Sequence, residues 1–422
     1  MAHRVFVDLA PLRESRDFRL LFTGQLISML GSQLTTVAIP FQVFSITHSS
    51  LQVGLVSLAQ LIPLLVGSLV GGTVGDGMDR RRLLIGSGAC SAAVASLLAL
   101  NSMLARPSLL VIYVVSALAA GLVGFANPAK SAAIPLLVKP KHLVAAYSIN
   151  QIVIQIATIV GPAISGVALG GAGLTWIYLI DALSFVVMAL TAIGLSPLRP
   201  QSGAGKPGLR SILNGLGYLR GRHVLQGIYL IDLNAMVFGM PRALFPALAA
   251  TTFGGSTIAL GLLYAAPGVG ALLGASTTGW VASIQRRGRA VVLAVVLWGI
   301  AIALFGWTSS LWLALVLLGI AGWADVISAV LRNTILQSSI PDHLRSRLSS
   351  FQMAVVQGGP RLGDLESGAV ATISTTEISI ISGGLACVIG AACIARALPG
   401  FWRASTENES ETGRSDLDRR SP

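Results

Sequence analysis

Charge is scarce in this chain. Asp, Glu, Lys and Arg make up 11% of its 422 residues, whereas 54% are hydrophobic. A soluble domain carries about 25% charged residues, and a mean hydropathy of +0.77 is far outside what a water-exposed surface tolerates. A soluble fold is therefore excluded, and a polytopic membrane protein is the expectation. Cysteine is rare too. Cys90, Cys387 and Cys393 lie inside apolar runs without metal-ligand spacing, so they read as small packing residues. The five histidines sit at or near predicted helix ends and form no HExxH pattern, so no metal site is expected. No nucleophile–base pair or Walker A loop occurs, which leaves no catalytic residues and no direct ATP drive. No signal-peptide h-region with a small-residue cleavage site precedes residue 19.

What remains is long apolar runs. Twelve candidate spans of about twenty or more residues are legible. They cover residues 18–44, 51–74, 83–103, 109–137, 142–168 and 176–195, then 224–250, 258–284, 290–307, 311–339, 344–373 and 378–395. This division predicts an N-terminal segment 1–17, a six-helix bundle 18–195, a linker 196–223, a second bundle 224–395 and a polar, disordered tail 396–422. The basic piece 209–222 of the linker suits a helix lying on the membrane surface. The net charge of +12 does not indicate nucleic acid, because the basic residues sit in short turns and form no groove-lining patch. Arg13, Arg16, Arg19, Arg80, Arg81, Arg82, Lys139, Lys141, Arg286, Arg287, Arg289, Arg345 and Arg347 fall on alternate turns, and the opposite turns hold one basic residue, Arg106. By the positive-inside rule both termini are cytoplasmic.

The two halves resemble each other. Leu51-Gln-Val-Gly54 aligns with Ile258-Ala-Leu-Gly261, and the same offset places Gly67 on Gly274 and Arg80 on Arg287. Lys139-Pro-Lys-His-Leu143 parallels Ile340-Pro-Asp-His-Leu344, each after a helix carrying Lys130 or Arg332. Two six-span repeats around a central cavity suit a transporter.

Charges within membrane spans cost roughly 2.5–3.5 kcal/mol each on insertion scales, so they line cavities or pair. Asp232 and Arg242 share the seventh span, with Pro241 weakening the helix between them. Asp325 and Arg332 share the tenth, two turns apart on one face. Arg361, Asp364 and Glu366 follow Gly358-Gly-Pro360 in the eleventh, where a bend is expected, and Arg361 and Asp364 are spaced to pair directly. Either all of these are satisfied internal pairs, or one of Asp325, Asp232, Asp364 and Glu366 takes a proton during transport, the first two being nearest mid-span. Gln25 and Gln33, two turns apart in the first span, could face a cavity, and Lys130 and Arg332 could gate it, attract an anionic substrate or snorkel. Asp181, beside Trp176 and Tyr178, reads as a polar residue at the outer interface.

The turn joining the second and third spans carries the strongest signature. Gly72 is expected to permit close helix approach. Asp76 ends its helix where the macrodipole disfavours an anion, so it needs a partner such as Arg80, Arg81 or another helix N-terminus. This loop resembles the signature cytoplasmic loop of the major facilitator superfamily, with Asp79 and Gly77 as departures. That resemblance implies an all-α fold of twelve transmembrane helices in two pseudo-symmetric bundles, with Asp76, Arg80 and Arg81 latching a cytoplasmic gate. Thr47-His-Ser-Ser-Leu-Gln-Val-Gly-Leu55, Leu244-Phe-Pro-Ala-Leu-Ala249, Gly261-Leu-Leu-Tyr-Ala-Ala266 and Ile335-Leu-Gln-Ser-Ser-Ile-Pro341 resemble the superfamily's enterobactin exporter branch, which also contains macrolide efflux proteins. The arginine motif of many drug–proton antiporters would fall near Ala117 and is absent. The resemblance implies export of a siderophore or another amphipathic small molecule, driven by the proton gradient without a cofactor, from a monomer in the cytoplasmic membrane. A broad-specificity drug efflux pump of the same fold is the alternative.

Overall fold

The computed structural model describes residues 8–75, 77–198, 219, 221–340 and 342–404. Within α13 (below), the side chains of 342–347, 349 and 350 are outside the description, as are those of Ala282 and Ser339. Asp76, the surface-helix segment 209–218 and the tail from 405 onward also lie outside the described residues.

The first half contains α1 (Ala10–Glu14), α2 (Arg16–Thr47), α3 (Ser50–Gly75), α4 (Arg80–Ser102), α5 (Leu109–Leu137), α6 (Leu143–Gly171) and α7 (Leu174–Ile193). Local chemistry sets these boundaries. Ser15 caps α2 by accepting from Phe18 N at 3.1 Å, and His48 closes it in the left-handed conformation at φ 51°. Asp79 caps α4, accepting from Arg81 N at 2.9 Å. The second half contains α8 (His223–Phe238), α9 (Phe245–Thr251), α10 (Thr257–Ser276), α11 (Arg287–Trp307), α12 (Leu311–Ser339), α13 (Asp342–Ile373), α14 (Thr376–Ala397) and α15 (Pro399–Trp402). Among the described residues, eleven segments are long and apolar enough to cross a membrane. The other long helix, α13, is 32 residues long and carries Arg361, Asp364 and Glu366.

Three boundaries differ from expectation. The seventh span is not one helix: α8 stops at Phe238, and Arg242 begins a 3₁₀ turn, Arg242–Leu244, before α9. Pro241 has no N–H and its ring clashes with the preceding turn, so the helix breaks there and does not merely weaken. The eighth span ends at Ser276, and its expected last turns form the 3₁₀ segment Thr278–Ser283. Residues 399–402, placed in the polar tail by composition, form α15. Its Phe401 is 0% exposed and lies against Gly227 and Gly288, so its burial holds the segment down.

The chain divides into two compact units. Unit 1 comprises residues 1–48, 58–207 and 256–265; unit 2 comprises 49–57, 208–255 and 266–422. In unit 1, α7 packs on α2 and α4, α2 on α6, and α4 on α5. Unit 2 repeats the scheme, with α14 on α8 and α11, α8 on α13, and α11 on α12. The core of unit 1 includes Phe18, Leu21, Leu84, Ile134, Ile149 and Met188. In unit 2, buried Trp298 donates Nε1–H to the Gly239 carbonyl at 2.7 Å, satisfying a carbonyl that the α8 break frees. Phe245 and Phe305 meet edge to face at 6.0 Å.

Each unit includes a short piece of the other half's sequence, and in each a repeat-related glycine is the contact point. In unit 2 a Cβ on Gly54 would run into the backbone of Asp364 and Leu365, and in unit 1 a Cβ on Gly261 would run into the Pro162 carbonyl and Gly166. Backbone cannot rotate aside, so both positions need the absence of a side chain.

Short α1 is held to the Leu137–His142 turn. Ser15 Oγ donates to the Leu137 carbonyl at 2.7 Å, Lys139 Nζ lies 3.0 Å from Glu14 Oε2, and His142 Nε2 lies 3.4 Å from Glu14 Oε1. The Lys139 hydrogen bond and charge hold the Glu14 carboxyl below its ordinary value of 4.5. A carboxylate with a lowered folded-state pKa contributes above its ordinary value and loses that contribution as pH falls through the folded-state value. The protection of α1 amides against hydrogen exchange, taken relative to the intrinsic rate at each pH, should therefore fall below about pH 4.5 in the wild type. In Lys139→Ala the exchange should be faster already at pH 7. Equal exchange in both proteins at pH 7 would show that the ion pair does not hold α1.

Candidate functional site

An ionic network occupies the interior of unit 2, on helices whose other faces are apolar. Asp232 on α8 is 0% exposed and Arg332 on α12 is 3% exposed. Their side chains form a direct ion pair through Nη1 and Oδ1. Gln352 on α13 donates Nε2–H to the second Asp232 oxygen at 2.7 Å, so both oxygens of this buried carboxylate are satisfied, as burial requires. Arg332 Nη2 reaches Asp325 Oδ1 at 3.8 Å, and the Asp325 side chain is 27% exposed. Arg332 therefore lies between two acids, and the more exposed of them holds it less closely.

Asp364 is the second focus. The break after α8 frees backbone donors, and Ala243 N donates to Asp364 Oδ1 at 3.0 Å. Ser57 Oγ, in the piece of α3 that belongs to unit 2, donates to Oδ2 at 2.7 Å. The expected direct Arg361–Asp364 pair does not form among the described residues. Arg361 instead turns back to the Gln357 carbonyl at 2.7 Å, a group within the helical turn that Pro360 disturbs. Arg361 still acts on Asp364 electrostatically, and Arg242 acts on both Asp325 and Asp364. Three carboxylates (Asp232, Asp325, Asp364) and three guanidinium groups (Arg242, Arg332, Arg361) therefore balance. The structure thus brings together six of the seven charged candidates from the seventh, tenth and eleventh spans. Glu366 stands outside, half-buried and with no hydrogen bond or ion pair to a described residue.

In unit 1 the glutamines tie α2 to α6. Gln25 Nε2 donates to Asn150 Oδ1 at 2.7 Å, and Gln33 Nε2 to Thr158 Oγ1 at 3.2 Å. Gln25, Asn150, Phe22 and Ile134 line a small recess. Lys130, one turn before Ile134 on α5, is half-buried and makes no hydrogen bond or ion pair to a described residue, in contrast to its repeat counterpart Arg332.

The basic turn between α3 and α4 differs from expectation at one residue. A Cβ on Gly72 would meet nothing within 4 Å, and the close approach falls on Gly71, against the Phe125 carbonyl. Arg81 Nη2 donates to the Ile193 carbonyl at 2.6 Å, where the C-terminus of α7 favours a cation. Arg80 N donates to the Leu198 carbonyl at 3.1 Å. Asp79 accepts from Leu198 N at 2.9 Å while capping α4, so the residue that departs from the superfamily pattern fastens the turn to the chain after α7. Sequence reading missed Asp79 in this role, and it missed Gln352 and Ser57, whose partners lie 120 and 307 residues away. It also misplaced Asp181. That residue is 3% exposed, because its face of α7 packs against α2.

Long apolar helices in two similarly built units, one enclosing a compensated ionic network, define a polytopic membrane transporter. The sequence profile of the transmembrane secretion effector family matches residues 7–415. The enterobactin exporter EntS of Escherichia coli O1:K1 / APEC is 30% identical over 384 residues, covering 91% of this chain and 92% of that one. Among solved structures, nucleoside transporter NupG superposes with a TM-score of 0.74 at 13% identity, covering 92% of this chain and 100% of that one. A bacterial homologue of the iron transporter ferroportin gives 0.67 at 15%, covering 92% and 99%. At such identities these two structures establish the fold alone. The chain belongs to the transmembrane secretion effector family of the major facilitator superfamily, within the branch that includes EntS. It is a multi-pass membrane protein and a secondary transporter of small molecules, not an enzyme.

Proposed function

We propose that this protein exports a siderophore or a similar amphipathic small molecule from the cytoplasm by alternating access, in exchange for protons. The observation that carries this reading is the 30% identity to an enterobactin exporter, spread over 91% of the chain. In this reading the bundles 18–195 and 224–395, with the pieces 49–57 and 256–265 exchanged between them, move as bodies, and Gly72, Asp76, Arg80 and Arg81 form the cytoplasmic gate loop. Both termini are cytoplasmic, a placement supported by the alternation of basic turns. The protein works as a monomer in the cytoplasmic membrane, with the proton gradient as its energy source and no cofactor. Asp325 is the carboxylate that exchanges a proton with the transport cycle. What supports that role is its position beside Arg332, which already has a closer partner in Asp232. Asp232, Asp364 and Glu366 are the other acids of the set, and Gln25, Gln33, Lys130, Arg242, Arg332 and Arg361 contact substrate or its counter-charges.

Siderophore in medium and cytoplasm should be compared in iron-starved cells lacking the gene, with and without its restoration. Retention in the cytoplasm, reversed by the restored gene, is the expected result. Normal secretion together with raised sensitivity to lipophilic drugs would move the assignment to drug efflux. In vesicles, Asp325→Asn should lower pH-gradient-driven flux at least ~10-fold, a barrier change of about 1.4 kcal/mol. A mutant that still responds to a collapsed gradient as the wild type does would place the proton on another acid.

A further inference from the structure

Unit 1 contains a buried acid for which the ionic network of unit 2 does not account. Asp181 lies on α7 at 3% exposure. Its Oδ2 accepts from Thr35 Oγ1 on α2 at 2.6 Å, while Oδ1 is buried with no hydrogen-bond partner. No ion pair to Asp181 exists among the described residues. The helices packed on α7 are α2, α4 and α6. Their titratable groups are Arg16, Asp17, Arg19 and the capping His48 on α2, Arg80, Arg81, Arg82 and Cys90 on α4, and Tyr147 on α6. The cations among them sit at helix ends, several turns from Thr35. On α7 itself, Tyr178 is 0% exposed and donates its hydroxyl to Gln42 Oε1 at 2.7 Å.

An ionised carboxylate in such a place would be uncompensated, which is far costlier than the neutral acid. The packing around the unpaired oxygen is tight. A Cβ on Gly31 would lie 2.9 Å from Asp181 Oδ1 and against Ser184 Oγ, so the glycine lets α2 close over the carboxyl and shuts out water. We propose that Asp181 is a proton-binding site of unit 1, loaded at Oδ1 in this conformation while Oδ2 keeps the Thr35 hydrogen bond. The proton comes from water and returns to water when the site opens. This site is separate from the carboxylates of unit 2 and goes beyond the export reading, since it requires no particular substrate.

Infrared spectroscopy of the purified full-length protein at neutral pH tests the assignment. The wild type should show the carbonyl stretch of a protonated carboxylic acid. That band should be lost in Asp181→Asn and kept in Asp325→Asn. An Asp181→Asn spectrum with the band undiminished overturns the proposal. So does loss of the wild-type band on adding sodium chloride at fixed pH, which would make the carboxyl a sodium site. If Asp181→Asn fails to fold, Thr35→Val serves instead: it removes the hydroxyl donor and should move the band to higher frequency. An unmoved band in a folded Thr35→Val protein also counts against the assignment. Because no substrate is used, failure here is distinguishable from failure of the antiport reading.

Discussion

Arg332→Leu is expected to destabilise the protein by about 3–5 kcal/mol, the usual effect of removing one partner from a buried ion pair. Asp232 is the reason. At 0% exposure it would keep only the Gln352 amide, leaving a carboxylate without a counter-charge in an apolar bundle. The loss should appear as a lowered unfolding temperature of the purified protein in detergent and as reduced yield. The double variant Asp232→Leu, Arg332→Leu should recover most of that stability, because a buried pair replaced by apolar groups of similar volume is often neutral or better. Transport should not return with it, since Asp325 would still have lost Arg332. If the double variant melts as low as the single one, the uncompensated Asp232 charge is not the cause of the loss.

Gly54→Ala is expected to have the second large effect, in spite of being a one-carbon change. The added Cβ would meet the main chain of Asp364 and Leu365, so no rotamer can relieve it. Overpacking costs typically about 1–3 kcal/mol, and the rigid partner places this case at the upper end. The displacement would also draw Ser57, three residues on, away from Asp364 Oδ2. Gly261→Ala should reproduce the effect in unit 1, where the partners are the Pro162 carbonyl and Gly166. Gly72→Ala is the control, with nothing within 4 Å and a stability change within about 0.5 kcal/mol. Thermal stability of the three variants should be measured together. Equal behaviour of all three would remove the close-approach argument.

The spans were readable because apolar runs in a membrane chain have few alternatives. Most of the charged candidates were also readable, since an ionisable residue in an apolar run stands out. Their partners were not. Arg361 and Asp364 share one helix at pairing distance, but a break at Pro241 in another helix supplies Ala243 N to Asp364, and the disturbed turn near Pro360 draws Arg361 back onto its own helix. That outcome depends on backbone groups, which carry no residue signature. Asp181 was misread for a related reason. Neighbouring Trp176 is 59% exposed and suits an interface, but the helical turn carries Tyr178 and Asp181 round to the α2 side. Gly72 shows the limit of motif reading, since the contact it was expected to make belongs to the adjacent Gly71.

The interleaved make-up of the two units bears on how the protein is made. Unit 1 includes residues 256–265, and unit 2 includes residues 49–57. A nascent chain that has just released α7 from the ribosome holds most of unit 1 but lacks its last piece, and it already carries a piece of unit 2 with nothing yet to receive it. Ser57 and Gly54 must wait for Asp364 and Leu365, some three hundred residues later. Membrane insertion can proceed helix by helix, whereas completion of either unit is deferred until synthesis is well into the second half. A chain truncated after the linker would therefore be left with an unfinished first unit, not a stable half-transporter.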